Sequence, residues 1–381
     1  MLFLRSFLFV LLISLAGPCF AADTARIDAL VADAMARNLV AGAVVLIGSH
    51  DRVLFERAYG RVGASPEARA MSVDTVFDVA SLTKVVATTP SVLKLAEEGR
   101  ISLLDPVTKW FPEFVGRGKD EIRVLNLLTH TSGLDDIPLV SGNALASAIE
   151  GAAAQRLKGE VGSRFKYADL NFILLAELTR RATGAGLDLY AHASFYQPLG
   201  MSNTGFNPKE RERCSSTVCE DRVLTGEAQD YLARQLGGVA GHAGLFSTAH
   251  DLARFCRMML GGGSLEGRRV LAQRTVDQMT APYFSRGGEV VRGLGWDIAS
   301  PYSSPRGQKF SRVSFGHTGY SGSSIWIDPV SDTFVVLLSA RLDYKKVQEF
   351  SRLRGELSTL ASELFGLPAE LREMAASMMV D

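Results

Sequence analysis

The sequence predicts an α+β fold, with an antiparallel sheet flanked by N- and C-terminal helices and an all-α insert domain. Two strand patterns around a turn follow a helix pattern near the N-terminus, helical stretches dominate residues 81–263, and strand patterns return only after residue 290. Strand-rich ends around a helical middle favour a sheet layer packed against helices. We therefore expect a sheet domain of residues 22–80 and 264–381, a mostly helical domain of residues 81–263, and a functional site in the cleft between them.

The elements are predicted from hydrophobic periodicity and from helix-breaking residues. Near the N-terminus, the patterns predict a helix over residues 23–39 and strands at 43–47 and 53–59. In the middle of the chain, they predict helices at residues 81–98, 123–128 and 172–182, with a kink or a new helix start at Pro90. Towards the C-terminus, they predict strands at residues 293–299, 311–316, 324–328 and 333–339, followed by a closing helix at 344–364.

The composition allows a sizeable core, because 47% of the 381 residues are hydrophobic. Lys plus Arg (41) balance Asp plus Glu (41), and no basic stripe is present. The sequence therefore gives no sign of a nucleic-acid partner. It leaves the oligomeric state open.

Residues 1–21 have the pattern of a signal peptide. Arg5 supplies a positive charge, residues 7–16 form an apolar run too short to span a bilayer comfortably, and small residues favour cleavage after Ala21. This pattern predicts a periplasmic or secreted protein with no membrane span after cleavage. Two alternatives stay open: an uncleaved anchor, and lipidation at Cys19, against which Pro18 argues.

The remaining three cysteines fall into two groups. Cys214 and Cys219 are separated by four residues, so they could close a small loop in an oxidising compartment. Spacing alone leaves this disulfide open, because it does not fix the geometry. Cys256 lies in a helical pattern and is predicted to be a buried thiol.

Ser81 and Lys84 form the first candidate catalytic pair. A serine hydroxyl is a poor nucleophile until a base takes its proton, and a spacing of three at the start of a helix puts both side chains on one face. Lys84 acts as a base only when neutral, so burial or a nearby cation must lower its pKa. The helix start also offers N–H groups to a developing oxyanion. Taken alone, the spacing is weak evidence, because a capping serine with a solvated lysine is its commoner explanation.

Two later segments carry polar groups that suit the same chemistry. Tyr167 near a lysine can shuttle a proton, and Asp169 or Asn171 could orient that lysine. His317 lies in a strand pattern rich in small residues, where a ligand can approach the backbone. Alone, the first segment fits a packed helix start and the second a glycine-rich strand end.

Together, the three segments resemble the serine β-lactamase and penicillin-binding-protein superfamily, where S-x-x-K, Y-x-N and K-T-G motifs converge on one site. The likeness is closest to the branch with class C β-lactamases, D-Ala-D-Ala peptidases and related esterases, in which His-Thr-Gly often replaces Lys-Thr-Gly. Segments 105–107, 127–134 and 237–248 extend the resemblance, which covers about residues 25–365.

The resemblance implies a catalytic role for four residues. Ser81 would be the nucleophile, Lys84 its general base, and Tyr167 the partner in proton transfer. The backbone N–H groups of Ser81 and Tyr320 would form the oxyanion hole.

On the substrate side, the resemblance implies that His317, Thr318 and Gly319 line the substrate strand. His317 replaces a permanent cation, so attraction for a substrate carboxylate could depend on pH. Asp169 stands where the family usually has Asn, and its carboxylate could hold Lys84 protonated. A Val-His-Asp segment found in relatives corresponds here to residues 228–230, where Gln229 replaces the histidine.

The sequence thus predicts an exported serine hydrolase that works through an acyl-enzyme on Ser81. We expect a D-Ala-D-Ala peptidase-like or esterase-like enzyme rather than an efficient β-lactamase, with a small molecule or a peptidoglycan peptide as substrate. Neither a metal nor a cofactor is predicted, because the histidines and cysteines lack metal-binding spacings. His130 and His242 are expected to be structural. Two alternatives are a penicillin-binding receptor acylated without turnover, and a protein that keeps the fold without the chemistry.

Overall fold

The computed structural model describes residues 17–116, 118–219, 222–285 and 290–366. Its α-helices are α1 (Gly17–Ala36), α2 (Thr89–Glu97), α3 (Val124–Leu128), α4 (Ala144–Ala154), α5 (Asp169–Thr183), α6 (Leu187–Ala191), α7 (Tyr231–Gln235), α8 (Ala249–Leu260), α9 (Gln273–Thr280) and α10 (Val347–Phe365). Most of the predicted signal peptide and the tail from residue 367 lie outside the described residues.

The strands are β1 (Val40–Gly48), β2 (Val53–Gly60), β3 (Phe77–Asp78), β4 (Gly205–Phe206), β5 (Ser216–Cys219), β6 (Arg222–Thr225), β7 (Leu245–Ser247), β8 (Ser264–Leu265), β9 (Arg268–Arg269), β10 (Phe284–Ser285), β11 (Val291–Arg292), β12 (Asp297–Ala299), β13 (Phe315–Thr318), β14 (Ser324–Asp328) and β15 (Thr333–Arg341). Eight of them form one antiparallel sheet in the order β10-β11-β12-β13-β14-β15-β1-β2. Strands from the N-terminal and C-terminal parts of the chain are neighbours next to the β2 edge of this sheet, where Val45 of β1 lies opposite Leu337 of β15.

Both faces of this sheet are covered, and strand β1 shows how. Val44 and Leu46 point into the large core shared with the helical part of the chain. The intervening Val45 and Ile47 point to the other side, against the core formed with α1 and α10. Since side chains alternate between the two faces of a strand, a strand covered on both sides is apolar at every position. Each such side chain contributes roughly 1.5–3 kcal/mol by its burial.

The middle of the chain is mostly helical, as predicted, and it also contains short strands. Strands β3, β7 and β4 form a small three-stranded sheet, and β5 pairs with β6. These strands have two to four residues, too few for an alternating pattern to predict them. The small sheet matters for the site, because the pairing of Phe77 with Ser247 fixes the end of β3 just before Ser81. The predicted domain boundaries stay a prediction.

The helix predicted over residues 81–98 has three parts. A 3-10 turn covers Ala80–Leu82, a π-helical turn covers Lys84–Thr88, and regular α-helix begins at Thr89 with Pro90 in its first turn. Proline fits the first turn of a helix because it has no N–H to pair there. The new helix start predicted at Pro90 is therefore confirmed.

Two predicted strands were placed too early. Of residues 293–299, only Asp297–Ala299 are strand, because Gly293 N–H donates to Trp296 O at 3.0 Å and Gly295 has φ +74°, which makes a turn. Of residues 311–316, strand β13 includes only the last two and continues to Thr318. Before it, Ser314 N–H donates to Ser311 O in a turn.

The described cysteines Cys214, Cys219 and Cys256 are free thiols. The sulfurs of Cys214 and Cys219 have separate neighbours, Glu210 O at 3.9 Å and the Arg234 guanidinium at 3.5 Å, so the disulfide left open by the spacing is not formed. Cys256 is fully buried in α8, as predicted. Within the described ranges, the helices lack a stretch long and apolar enough to cross a membrane.

Candidate active site

Ser81 lies at the turn between β3 and the helices of the insert. Strand β3 ends at Asp78, and Ala80 takes the left-handed conformation with φ +47°. The turn is held by the Thr83 hydroxyl, which donates to Ala80 O at 2.6 Å and accepts from Leu245 N–H at 3.1 Å. The turn leaves Ser81 partly exposed, whereas its neighbours on both sides are buried.

Lys84 is fully buried beside Ser81 and makes three polar contacts. Its Nζ donates to Ser81 Oγ at 3.1 Å and to His242 O at 2.9 Å, and it lies 2.7 Å from Asp169 Oδ1. Lys84 begins the π-helical turn, a distortion that is frequent at functional sites. The lysine therefore lies between the predicted nucleophile and a carboxylate.

The charge state of Lys84 follows from two opposing effects. Burial by itself lowers the pKa of its ammonium group, but the Asp169 carboxylate together with Tyr167 outweighs burial and raises that pKa above its usual value. Lys84 is therefore an ammonium ion at neutral pH when no substrate is bound. This agrees with the expectation that Asp169 keeps it protonated.

Tyr167 packs against Lys84, with its ring close to the ammonium group. Lys84 Nζ lies 5.0 Å from the centre of the Tyr167 ring, and the His130 ring stacks on that ring with centroids 4.4 Å apart. Burial raises the pKa of the Tyr167 phenol, while hydrogen bonding to Lys84 and Ser81 opposes the shift. The phenol is thus neutral and in contact with both catalytic candidates.

His317 lies on β13 and lines the cavity that also contains Ser81 and Tyr167. His317 Nδ1 contacts Thr318 O at 2.9 Å, and burial, together with Arg292 and Lys84, lowers the pKa of the imidazole well below 6.5. The imidazole is therefore neutral at neutral pH, and the pH dependence expected from His317 moves to acidic pH. Gly319 has no room for a side chain, because a Cβ there would collide with Ser323 Oγ and with Val79 O.

Two serine hydroxyls join the turn of Ser81 to the segment of Tyr320. Ser321 Oγ donates to Asp78 O at 2.7 Å, and Ser323 Oγ donates to Val79 O at 2.8 Å. These bonds fix the backbone that carries the N–H of Tyr320 relative to the turn that carries the N–H of Ser81. The predicted oxyanion hole thus has its two contributors on segments tied directly together.

A cavity of about 280 Å³ contains most of the predicted site. Its lining includes the predicted Ser81, Tyr167, His317, Thr318, Gly319 and Tyr320 and the unpredicted Arg292, Asp297, Tyr302, Arg341, Val347 and Arg354. The unpredicted residues belong to no motif, so sequence spacing gave no signal for them. A larger cavity of about 930 Å³ lies between α1 and α10 and is lined by none of the predicted site residues.

The contacts of Asn171, His130 and His242 show what each of these residues does near the cavity. Asn171 does not orient Lys84; its amide oxygen accepts from Ser132 Oγ at 2.6 Å, and Asp169 alone of the two contacts the lysine. His130 supports Tyr167 by stacking and accepts from Ala168 N–H at 3.2 Å. His242 Nε2 contacts Asp230 Oδ1 at 2.8 Å, and its backbone oxygen contacts Lys84.

Asp169, Asp230 and His242 bring three possible metal-ligand atoms within 4.8 Å of one another. The Lys84 ammonium group already pairs with Asp169 beside this cluster and supplies a positive charge there. The absence of a metal, expected from the sequence, stays a prediction.

The chain is similar to a known protein family and to a named relative. The family model described as Beta-lactamase matches residues 27–356. A protein of Salmonella agona (strain SL483), provisionally named D-alanyl-D-alanine carboxypeptidase, is 30% identical over 304 residues, which cover 70% of each chain.

Solved structures share the fold at lower sequence identity. A structure titled as a class C beta-lactamase has a TM-score of 0.76 at 20% identity, covering 93% of this chain and 99% of its own. The hydrolase EstCE1, described as having promiscuous acyltransferase activity, has a TM-score of 0.75 at 20% identity, covering 89% and 99%. The structural matches confirm the predicted fold class, and the family model together with the Salmonella relative confirms the predicted superfamily.

Proposed function

Because this chain belongs to the beta-lactamase family, we propose that it is an exported enzyme in which Ser81 attacks a carbonyl and forms an acyl-enzyme. Membership of the family makes the protein a serine hydrolase. The identity of the nucleophile, the acyl intermediate and the substrate class are the parts that we propose. The observation that carries the proposal is the buried chain of contacts from Ser81 Oγ through Lys84 Nζ to Asp169 Oδ1.

The proton of Ser81 needs an acceptor, and a protonated Lys84 is not one by itself. We propose that Lys84 passes a proton to the Asp169 carboxylate as it takes the proton of Ser81 Oγ, so that the lysine stays an ammonium ion and Asp169 becomes a carboxylic acid. The bond that forms joins Ser81 Oγ to the substrate carbonyl carbon. Tyr167, a neutral phenol in contact with Ser81 and Lys84, then donates its proton to the leaving group and recovers one from Lys84. The Asp169 carboxylic acid returns its proton to Lys84, so that the ammonium ion and the carboxylate are restored.

The carbonyl oxygen of the substrate gains negative charge in this step. The N–H groups of Ser81 and Tyr320 stabilise that charge, because they belong to segments that the Ser321 and Ser323 hydroxyls hold together. Such donors add to the rate because they need no rearrangement as the charge develops. Water then attacks the acyl carbon and frees Ser81, with the proton transfers running in reverse.

We propose a D-Ala-D-Ala peptidase-like or esterase-like substrate range rather than efficient β-lactam hydrolysis. Two features argue against efficient β-lactam hydrolysis: His317 is neutral where a permanent cation would attract a carboxylate, and Asp169 holds Lys84 protonated. The first feature favours uncharged esters most, since D-Ala-D-Ala peptides also carry a carboxylate. The name of the Salmonella relative and the description of EstCE1 as a hydrolase agree with this range. Rapid steady-state turnover of a cephalosporin would overturn it.

We also propose that the protein works in the periplasm or outside the cell. Support comes from the apolar run of residues 7–16 and from the small residues before position 22. The measurement is N-terminal sequencing of the mature protein from cell fractions. A mature N-terminus at Ala22 in the periplasmic fraction or the medium is the expected result, and an unprocessed cytoplasmic chain would refute export.

A substrate panel tests the proposed function. The mature protein and Ser81→Ala are incubated with p-nitrophenyl esters, D-Ala-D-Ala peptides and β-lactams, and turnover and intact mass are recorded. We expect many turnovers of an ester or peptide by the wild type and none by Ser81→Ala. A penicillin adduct on Ser81 without turnover of any substrate would favour the receptor alternative. Equal activity of both proteins would remove Ser81 from the mechanism.

A further inference from the structure

Asp78 is a buried carboxylate near the site, and the proposed reaction does not use it. It ends β3 three residues before Ser81, and its side chain is almost fully inaccessible. Its two oxygens accept from two different segments: Oδ1 from Ala80 N–H at 2.8 Å and Oδ2 from Gln229 N–H at 2.6 Å. Burying a carboxylate is costly unless hydrogen bonds compensate, so this position calls for an explanation.

The first hydrogen bond acts on the turn that carries Ser81. Ala80 has φ +47°, a conformation that residues with a Cβ adopt only at an energetic cost. Asp78 holds the N–H of this strained residue, and Thr83 holds its carbonyl. The direction in which Ser81 Oγ points therefore depends on the Asp78 carboxylate.

The second hydrogen bond acts on the segment that positions Lys84. Gln229 precedes Asp230, whose Oδ1 contacts His242 Nε2 at 2.8 Å, and the carbonyl of His242 accepts from Lys84 Nζ at 2.9 Å. The Asp78 carboxylate is therefore the link between the nucleophile turn and the segment behind the lysine.

We propose that Asp78 is a positioning residue, whose ionised carboxylate holds Ser81 and Lys84 in register by joining the Ala80 turn to the Gln229 segment. The proposal rests on the proposed function, since it takes Ser81 as the nucleophile. A carboxylate has two strong acceptor oxygens, whereas an amide or a protonated acid has one. Either neutral form therefore loses one of the two links.

The surroundings of Asp78 make its charge sensitive to mild acid. Burial raises the pKa of Asp78 to about 6, against the two N–H bonds and against Arg234, while Asp230 adds to the increase. Cys214 and Tyr344 also face the carboxylate electrostatically. Below this pH the side chain takes up a proton and one link is lost, so acylation of Ser81 should slow.

His130 and His317 do not account for such a change. Their pKa values are both lowered well below 6.5 by burial and by nearby cations. Burial raises the pKa of Asp230, but His242, the Ala233 N–H and Lys84 together outweigh burial and lower that pKa to about 2. Loss of the change in Asp78→Asn is the observation that would assign it to Asp78.

The test compares wild type, Asp78→Asn and Asp251→Asn between pH 4.5 and 9. Asp251 is a matched control: it is buried at the start of α8, and its carboxylate accepts from Asn203 N–H at 2.7 Å and from Thr204 Oγ1 at 2.9 Å, far from Ser81 in the sequence. Steady-state hydrolysis of p-nitrophenyl acetate gives kcat and KM, and the rate of labelling by a fluorophosphonate probe reports the reactivity of Ser81.

We expect an acid limb near pH 6 in the wild type and in Asp251→Asn. Asp78→Asn should lose this limb and about tenfold or more in kcat at pH 7.5, with KM changed less than about threefold. An acid limb that persists in Asp78→Asn, or an unchanged kcat, would overturn the proposal. If the wild type neither hydrolyses the ester nor reacts with the probe, the proposed function itself has failed.

A second pair of variants, Ala80→Gly and the double variant with Asp78→Asn, tests the proposal if Asp78→Asn alone does not fold. Glycine adopts φ +47° without a steric cost, so Ala80→Gly relaxes the turn. In this background, Asp78→Asn should fold more readily, because the turn depends less on the hydrogen bond that is lost. We expect Ala80→Gly to keep the acid limb and the double variant to lack it. Equal pH profiles for these two proteins would contradict the proposal.

Discussion

At the scale of single residues, the site is defined by how Lys84 is charged. Its ammonium group has no access to solvent, yet the Asp169 carboxylate at 2.7 Å raises the pKa above its usual value. A lysine that serves as a base by itself needs the opposite shift. In the proposed mechanism, Lys84 and Asp169 therefore act as one unit, in which the carboxylate holds the proton of Ser81 until the leaving group departs.

Asp169→Asn separates the two members of this unit. Without the carboxylate, burial dominates and lowers the pKa of Lys84. We expect kcat/KM for p-nitrophenyl acetate to fall by about tenfold to 100-fold at pH 7 and to recover as pH rises and Lys84 loses its proton. The measurement is a pH–rate profile from pH 6 to 10.

Asp136→Asn is the matched control for this prediction. Asp136 is an exposed carboxylate close enough to Asp169 to interact with it electrostatically. It accepts from Leu170 N–H at 2.9 Å, and an amide oxygen can replace that acceptor. Its profile should follow the wild type. An Asp169→Asn enzyme as active as the wild type at pH 7 would show that Lys84 needs no carboxylate.

At the scale of elements, the site depends on close contact between the β13–β14 hairpin and the turn after β3. Gly319 follows β13 and lies against Val79, with no space for a methyl group. Gly319→Ala should push these segments apart. We expect about 1–3 kcal/mol less stability in thermal or urea unfolding and at least about tenfold lower kcat/KM.

Gly205→Ala controls for the general effect of adding a methyl group to a glycine. Gly205 lies on strand β4, where an added Cβ meets nothing within 4 Å. It should leave kcat/KM close to the wild-type value. If Gly319→Ala behaved in the same way, tight packing of the hairpin on the turn would be irrelevant to catalysis.

The loop after β12 adds an exposed aromatic wall to the cavity. Tyr302 is 52% exposed, and its ring lies 5.8 Å from that of Tyr167. An exposed aromatic ring beside a nucleophile gains burial when a substrate covers it. Tyr302→Ala should raise KM for p-nitrophenyl butyrate by about threefold to tenfold and leave kcat nearly constant. Tyr231→Ala is the control, because Tyr231 is also exposed but lies outside the cavity. Equal KM values for Tyr302→Ala and Tyr231→Ala would refute a role of Tyr302 in binding the substrate.

The sequence predicted long elements better than their ends. Strand β14 was predicted with its exact limits, and β1 and β15 were extended by the structure, because apolar residues persist over their whole length. The strand predicted from residue 293 failed because the hydrogen bond between Gly293 and Trp296 closes a turn that a periodicity argument does not detect. Strands of two residues, such as β3, carry no periodic signal at all.

At the scale of the whole molecule, the fold brings together residues from distant parts of the chain. Ser81, Tyr167 and His317 line one cavity although about 85 and about 150 residues separate them. The sequence could predict their convergence only because each lies in a recognisable motif. Arg292, Asp297 and Tyr302 line the same cavity without any motif, and only the packing of the sheet on the helices reveals them.

The buried Asp78 should also make the free energy of unfolding depend on pH. Its pKa is raised from 3.8 to about 6, so the folded state binds this proton more tightly than the unfolded state. The resulting contribution to stability is fully present below about pH 4 and is lost as pH rises through 6. Relative to Asp78→Asn, the wild type should lose about 2 kcal/mol of unfolding free energy between pH 4 and 7 in urea titrations. A constant difference would contradict the raised pKa.

Ser81 is the residue on which the proposed reaction depends, and rapid-quench mass spectrometry of the acyl-enzyme tests its role most directly. The mature protein is mixed with p-nitrophenyl acetate, quenched in acid within milliseconds, digested and analysed. We expect a 42-dalton acetyl adduct, the mass of an added C2H2O, on the peptide that contains Ser81, formed before steady state and absent from Ser81→Ala. An active enzyme whose adduct lies on another residue, or whose Ser81→Ala variant still forms it, would contradict the account.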